Sequence, residues 1–207
     1  ALAHSMNVPS IKVLDAVGFD AAIKRTSSLL GIPANELESR HFDRVYPLGL
    51  GVCAVRPIEM AKAYATIANK GREVTPIAIL SVEDKNGKKI MNPEKELRAQ
   101  QKSQKGGKQI LKQESAFIMQ EIMKQTVASG SLRYGADWDS TYYVTGKRKG
   151  KGSKFRLDNS NGKKFNMPIA GKTGTTQNWA DAWAAGFTPY YTSVFWFGFD
   201  KPGQSLG

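Results

Sequence analysis

Between Pro9 and Leu30 apolar residues fall at Ile11, Leu14 and Val17 and again at Ala22, Ile23, Leu29 and Leu30. That three-to-four spacing predicts two helices divided by Gly18. Gly31 to Ala54 carries two prolines and no sustained period, so it reads as a structured connection. A third helix is predicted from Pro57, which suits a first turn, through Ile58, Ala61, Ala65 and Ala68 to a stop at Gly71. Val74 to Val82 alternates loosely and runs into Asp84-Lys85-Asn86-Gly87-Lys88, where Asn-Gly predicts an exposed hairpin turn. Glu114 to Ala128 puts Phe117, Ile118, Ile122 and Met123 on one stripe, a helix that closes at Ser129-Gly130.

After a long polar segment, Leu132 to Lys164, the texture changes. Phe165 to Thr176, Ala180 to Phe187 and Thr192 to Asp200 are rich in β-branched or aromatic residues, and predict three adjacent antiparallel strands. The last holds Val194-Phe195-Trp196-Phe197-Gly198-Phe199 and is expected to be covered on both faces. Trp179, Trp183 and Trp196 are expected to pack within the sheet. Helices first and sheet last is an α+β arrangement.

Composition narrows the chemistry. At 207 residues, 41% hydrophobic and 23% charged, the chain has the makings of a globular core rather than disorder or a fibre. One cysteine, Cys53, excludes an internal disulfide framework and a multi-cysteine zinc site, and His4 and His41 are the only histidines. No metal and no cofactor are expected. The net charge of +12 suggests a polyanion at first sight, but Arg98 to Lys164 alone holds 15 basic and 5 acidic residues. The excess therefore sits in two Gly/Lys-rich stretches, 98–112 and 147–164, read as solvated loops. Too few aromatics accompany them for a stacking surface, so no nucleic-acid partner is expected.

The string most suggestive of chemistry is Gly171-Lys172-Thr173-Gly174-Thr175-Thr176. On a strand facing a cleft, Lys-Thr-Gly presents an ammonium and hydroxyls to an anionic group, and glycine leaves room for a substrate along the strand edge. A phosphate loop fails, because Asn166 stands where its first glycine belongs and no apolar helix follows. Ser5-Met6-Asn7 near the start is a second element, although Ser5 and Asn7 taken singly read as helix caps.

Together, Ala3-His4-Ser5-Met6-Asn7-Val8-Pro9, Gly49-Leu50-Gly51-Val52 before Pro57-Ile58-Glu59-Met60-Ala61, and Gly171 through Phe187-Thr188-Pro189 resemble the transpeptidase domain of class A penicillin-binding proteins. The resemblance weakens over Lys85–Leu111 and Leu132–Lys164. It implies an α+β, β-lactamase/transpeptidase-like fold, a mainly antiparallel sheet flanked by helices with a helical subdomain. Residues 1–207 are then one partial transpeptidase domain with variable basic segments 98–112 and 132–164.

The implied activity is acyl transfer through a serine ester, cross-linking peptidoglycan stem peptides that end in D-Ala-D-Ala. The implied partners are those peptides, β-lactam antibiotics and the remainder of the parent chain. By the same resemblance Ser5 relays a proton, Asn7 orients the nucleophile's lysine and holds the acyl side chain, and Lys172 supplies positive potential and engages Ser5. Thr173 and Thr175 bind the substrate carboxylate beside Gly174 and Thr176, and the Thr175 N–H is an oxyanion-hole donor.

The family's first element, Ser-x-x-Lys on a helix, carries nucleophile and base and precedes Ser-x-Asn. The one formal match, Ser160-Asn161-Gly162-Lys163, comes after it, in a segment containing Asn-Gly. The expectation is a fragment that does not acylate alone and needs a companion segment for stability. Nucleophile, glycosyltransferase domain and membrane anchor are expected elsewhere in an extracytoplasmic parent. Members usually read Gly-Thr-Gly where this chain has Ser129-Gly130-Ser131. The basic loop Lys147–Lys154 is expected to reach anionic wall polymers or lipid head groups. A β-lactam-sensing receptor domain of the same fold, and a basic nucleic-acid-binding module, remain as alternatives.

Overall fold

The structure, a computed structural model, describes residues 1–104, 106–132, 156–158, 164–166, 168–199 and 204–206. The loop Lys147–Lys154 and the text Ser160–Lys163 lie outside the described residues. Helices α1 (Asn7–Val17) and α2 (Phe19–Leu30) divide at Gly18 as their spacing predicts. Helix α3 (Pro57–Ala68) starts with Pro57 in its first turn, and its Glu59 carboxylate accepts the Arg56 N–H at 2.8 Å. The same carboxylate takes Nη1 of Arg40 at 2.8 Å, tying the 31–54 connection to the helix start. Leu30, Ile32, Phe42 and Ala63 are buried together where α2, the connection and α3 meet.

A short hairpin follows, β1 (Val82–Glu83) against β2 (Lys89–Met91). Its turn closes on the Asp84 carboxylate, which accepts the N–H of Asn86 at 2.8 Å and of Lys88 at 2.9 Å. The solvated loop expected from Arg98 is corrected in part, because Pro93–Ser103 forms helix α4. Local capping outweighs composition there. Asn92 Oδ1 accepts the Lys95 N–H at 3.0 Å, Pro93 occupies the first helical position, and Glu94 receives Arg98 one turn on at 2.9 Å.

Helix α5 (Gln113–Ala128) precedes the long polar segment, and β3 (Arg156–Asp158) and β4 (Lys164–Asn166) pair antiparallel as a separate two-stranded sheet. The main sheet is β5 (Ala170–Thr175), β6 (Asp181–Phe187) and β7 (Thr192–Gly198), antiparallel in that order, with Lys172 opposite Ala185 and Trp183 opposite Trp196. Helices α3 and α5 pack on it. Met123, Ala170 and Phe187 are buried there, and Leu2 of the N-terminal turn packs in beside Tyr64, Ile67 and Ala68. Burying the Met123 and Phe187 side chains contributes roughly 1.5–3 kcal/mol each. The chain's beginning and its late strands thus share one core.

The expectation that β7 is covered on both faces is overturned. Val194 is half-buried, whereas Phe195 and Phe197 are 71% and 73% exposed. Strand alternation sends the two sets to opposite faces, and α3 packs against this strand. Among the described residues no helix is long and apolar enough to cross a membrane.

Gly71, just past the end of α3, has φ +79°, and its carbonyl accepts the N–H of Ile110 and Leu111 at 2.8 and 3.1 Å. A Cβ there would stand 2.4 Å from the Leu111 carbonyl oxygen, whereas one at Gly87, also at φ +79°, would meet nothing within 4 Å. Gly87→Ala should lower stability by roughly 1–2 kcal/mol, the backbone strain alone. Gly71→Ala should cost at least about 1 kcal/mol more, read by urea unfolding. Equal losses would contradict the close packing of Gly71 on residues 110–111.

Candidate active site

The N-terminal turn is a single 3-10 turn, Leu2–His4, closed by Ser5 in the left-handed region at φ 50°, ψ 43°. That conformation costs a non-glycine residue on the order of 1–3 kcal/mol, so surrounding contacts must hold it. The Ser5 N–H donates to the Leu2 carbonyl at 3.1 Å. Neither Ser5 nor Asn7 caps α1. The cap position is Met6, and Asn7 is the first helical residue. Its carboxamide is exposed and makes no side-chain hydrogen bond among the described residues.

Across from this turn lies β5, at the edge of the described three-stranded sheet. The Thr176 N–H donates to the Asp181 carbonyl at 3.1 Å, which makes 176/181 a hydrogen-bonded pair. In an antiparallel ladder such pairs alternate, so the backbone groups of Gly171, Thr173 and Thr175 point away from β6 toward the open edge. Two contacts agree with this. The Gly171 carbonyl accepts from Thr126 Oγ1 at 2.5 Å, and the Thr173 carbonyl accepts from Lys172 Nζ at 2.6 Å. The Thr175 N–H faces the same way.

Lys172 Nζ also donates to Ser5 Oγ, joining residues 167 positions apart in the chain. Because the ammonium occupies a lone pair of that oxygen, the serine keeps its own proton to donate onward. Partial burial pushes the Lys172 ammonium below the ordinary lysine value.

Three residues outside the predicted set hold the arrangement together. Thr126 is fully buried, and its one hydroxyl proton is shared between the Gly171 carbonyl at 2.5 Å and the Met123 carbonyl at 2.7 Å, fastening the end of α5 to β5. Gly130 follows, and a Cβ there would stand 2.1 Å from the Ala3 carbonyl oxygen and 2.8 Å from Thr126 Cα. Ser131 then donates its N–H to that Ala3 carbonyl at 3.0 Å, while Thr173 Oγ1 donates to Ser131 Oγ at 2.7 Å. A polar residue inside the apolar stripe of α5 was the available signal for Thr126. The Gly-Ser pair at the helix end was the signal for the rest.

At its far end β5 turns through Gln177–Trp179. Of the predicted set, Ser5, Lys172 and Thr173 are joined through hydrogen bonds, while Thr176 is engaged elsewhere. Its hydroxyl accepts the Asp181 N–H at 2.8 Å and lies 3.2 Å from the Asp181 carboxylate, which also receives the Trp196 indole N–H at 2.8 Å. Trp183 and Trp196 pair within the sheet at 6.4 Å, as expected. Trp179 departs from expectation. With φ 59° at Asn178 and 53° at Trp179, the backbone leaves the strand and the indole is 64% exposed.

The family profile "Penicillin binding protein transpeptidase domain" matches residues 2–200. Penicillin-binding protein 1A of Aquifex aeolicus is 27% identical over the whole chain, which spans 22% of that relative's length. The crystal structure of penicillin-binding protein 1A from Haemophilus influenzae superposes with a TM-score of 0.68 at 23% identity, covering 100% of this chain and 30% of that one. Penicillin-binding protein A of Mycobacterium tuberculosis, solved as an imipenem acyl-enzyme complex, superposes at 0.58 with 18% identity, covering 100% of this chain and 43% of that one. The fold is the transpeptidase fold of these structures. The chain spans about a fifth of the length of the curated relatives it matches.

Because burial disfavours the Lys172 ammonium, the folded chain releases that proton at lower pH than the unfolded chain does. Folding is therefore helped as pH rises from the folded to the unfolded pKa of this group. An amine-acylating reagent, with modification followed by peptide mass mapping, should react at Lys172 with a pH midpoint lower in the native protein than in urea. An equal or higher native midpoint would contradict the buried, charge-disfavouring setting.

Proposed function

The chain belongs to the penicillin-binding protein transpeptidase family, and on that premise we propose that it is the part of a serine D-Ala-D-Ala transpeptidase that receives the substrate, activates the leaving group and stabilises the transition state. The parent protein cross-links peptidoglycan stem peptides on the outer side of the cytoplasmic membrane, held there by an N-terminal anchor, and β-lactams acylate it. The attacking serine and its lysine come from a Ser-x-x-Lys helix that is not among the described residues.

The reaction runs in two displacements. The serine oxygen attacks the carbonyl carbon of the penultimate D-alanine, an ester forms, and the terminal D-alanine leaves once its nitrogen gains a proton. An amine of a second stem peptide then attacks the ester and the serine is released. Ser5 suits the proton step because its oxygen already accepts from Lys172, so its own proton is directed by a fixed donor behind it. Lys172 polarises Ser5 and adds positive potential where the substrate's anionic end arrives. Asn7, with no competing hydrogen bond among the described residues, is free to hold the acyl-donor amide and the nucleophile's lysine.

Thr173 and Thr175 place hydroxyls for the substrate carboxylate, and Gly174 keeps the strand edge open. The outward Thr175 N–H serves as an oxyanion donor, a role worth about 3–4 kcal/mol per donor in comparable sites. Thr176 contributes through the turn it closes with Asp181 rather than through a free hydroxyl.

The observation that carries this reading is the Lys172 to Ser5 contact, which brings together two motif elements from opposite ends of the sequence. Incubating the parent protein with a fluorescent penicillin should give a covalent band. Lys172→Ala should slow its formation by at least about 100-fold, the scale of a lost transition-state donor. An undiminished band in that variant would remove Lys172 from the chemistry.

A further inference from the structure

Ser5 and Asn7 are near neighbours in the chain but are held by different parts of the fold. Ser5 closes the N-terminal turn, which packs on α5, and it receives the Lys172 ammonium. Asn7 opens α1, and α1 packs chiefly on the 3-10 turn Tyr46–Leu50 and on α2. Met6 alone separates the two. The Asn7 carboxamide is exposed and makes no side-chain hydrogen bond among the described residues, so its place is decided by where α1 lies.

Little holds α1 on its own account. Among the described residues Leu14 is its one buried side chain, at 6% exposure. Gly49 lies directly against it. A Cβ on Gly49 would stand 3.1 Å from Leu14 Cδ2, 3.3 Å from Leu14 Cβ and 3.6 Å from the carbonyl oxygen of Ser10, which lies one turn after Asn7. Gly51 closes the 3-10 turn in the left-handed region at φ 91°, but Gly49 is not among the positive-φ glycines. The position therefore uses the missing side chain and not the freedom of the glycine backbone.

The turn that presents Gly49 is a firm support. The Gly51 N–H donates to the Leu48 carbonyl at 3.0 Å and the Val52 N–H to the Pro47 carbonyl at 3.2 Å. Leu48 packs on the buried cluster of Leu30, Ile32, Phe42 and Ala63. The Tyr46 hydroxyl donates to the Asp15 carboxylate at 2.9 Å, and its ring lies 5.7 Å from that of Phe19. A helix resting on such a seat shifts when the seat is filled, because close-packed interiors transmit strain.

We propose that Gly49 is a positioning residue for Asn7. By admitting Leu14 where any other residue would place a Cβ, it sets how closely α1 approaches and so where the Asn7 carboxamide meets the acyl-donor amide. This rests on the transpeptidase reading above and deepens it. Gly49 touches no substrate and acts through Leu14 and the helix. An added Cβ forces its neighbour to give by a few tenths of an ångström, which moves Asn7 while Ser5 stays with the N-terminal turn.

The test measures second-order acylation of the parent protein by two compounds: benzylpenicillin, which carries a side-chain amide, and the same nucleus with a free amine in its place. The ratio of the two rates cancels the fraction folded and any effect on the nucleophile, and Asn7→Ala gives the reference loss. Gly49→Ala should lower the ratio about three- to fivefold, scaled from the roughly 100-fold loss that a misplacement of about 1 Å brings. In the Asn7→Ala protein the same substitution should change the ratio no further. Leu14→Val, which loosens the contact from the helix side, should move the ratio the same way and covers the case in which the alanine variant does not fold. A ratio kept at the wild-type value in both variants would overturn the role of Gly49, as would a further drop in the Asn7→Ala background. Wild type that reacts with neither compound would instead overturn the transpeptidase reading on which it stands.

Discussion

An ammonium on a late strand donating to a hydroxyl in the first turn of the chain is the constraint on which the rest of the structure depends. Left alone, neither end would hold its position. Ser5 sits in a backbone conformation that non-glycine residues avoid, and Lys172 is drawn from water against the preference of its charge. The contact is kept by packing around it. Leu2 enters the same core as Met123, Ala170 and Phe187, so the N-terminal turn and β5 are fixed to one body before any polar contact is counted. Thr126 then fastens α5 to the strand at Gly171, and Ser131 fastens the segment after α5 to Ala3. The N-terminal turn, the segment after α5 and β5 are thus held by groups whose positions determine one another.

Much of this was legible along the chain because it follows local rules. The split at Gly18, the α3 start at Pro57, the Asn-Gly hairpin and the three consecutive antiparallel strands all come from period, cap and turn chemistry within a dozen residues. Lys-Thr-Gly and Ser-x-Asn could be recognised as a pair, and the structure joins Lys172 and Ser5 through a hydrogen bond. What composition suggested, local chemistry sometimes overruled. The stretch before Ser103 looked like a solvated basic loop, yet Asn92, Pro93 and the Glu94–Arg98 pair are enough to start and hold α4.

The rest was not legible because it depends on which residues meet across the fold. The one local mark of Thr126 is a polar side chain in the apolar stripe of α5; its importance arises from the Gly171 carbonyl that the strand's edge position leaves facing it. Gly130 reads as a helix stop, while its decisive feature is the passing Ala3 backbone. The default capping roles of Ser5 and Asn7 failed for a similar reason, since the cap position falls on Met6. Trp179 was grouped with the sheet tryptophans because all three lie in β-rich text. Two consecutive left-handed residues turn it out of the strand.

If the Ser5 to Lys172 contact works as one unit in proton delivery, removing either partner removes the function of both. A double-mutant cycle measures this directly, using the second-order rate of acylation of the parent protein by penicillin for Ser5→Ala, Lys172→Ala and the combined variant. Groups coupled in one hydrogen-bond network show interaction energies of roughly 0.5–3 kcal/mol. The expected result is a double variant within about threefold of the slower single variant. Losses that multiply, as for independent sites, would show that the two residues act separately and would contradict the joined site described above.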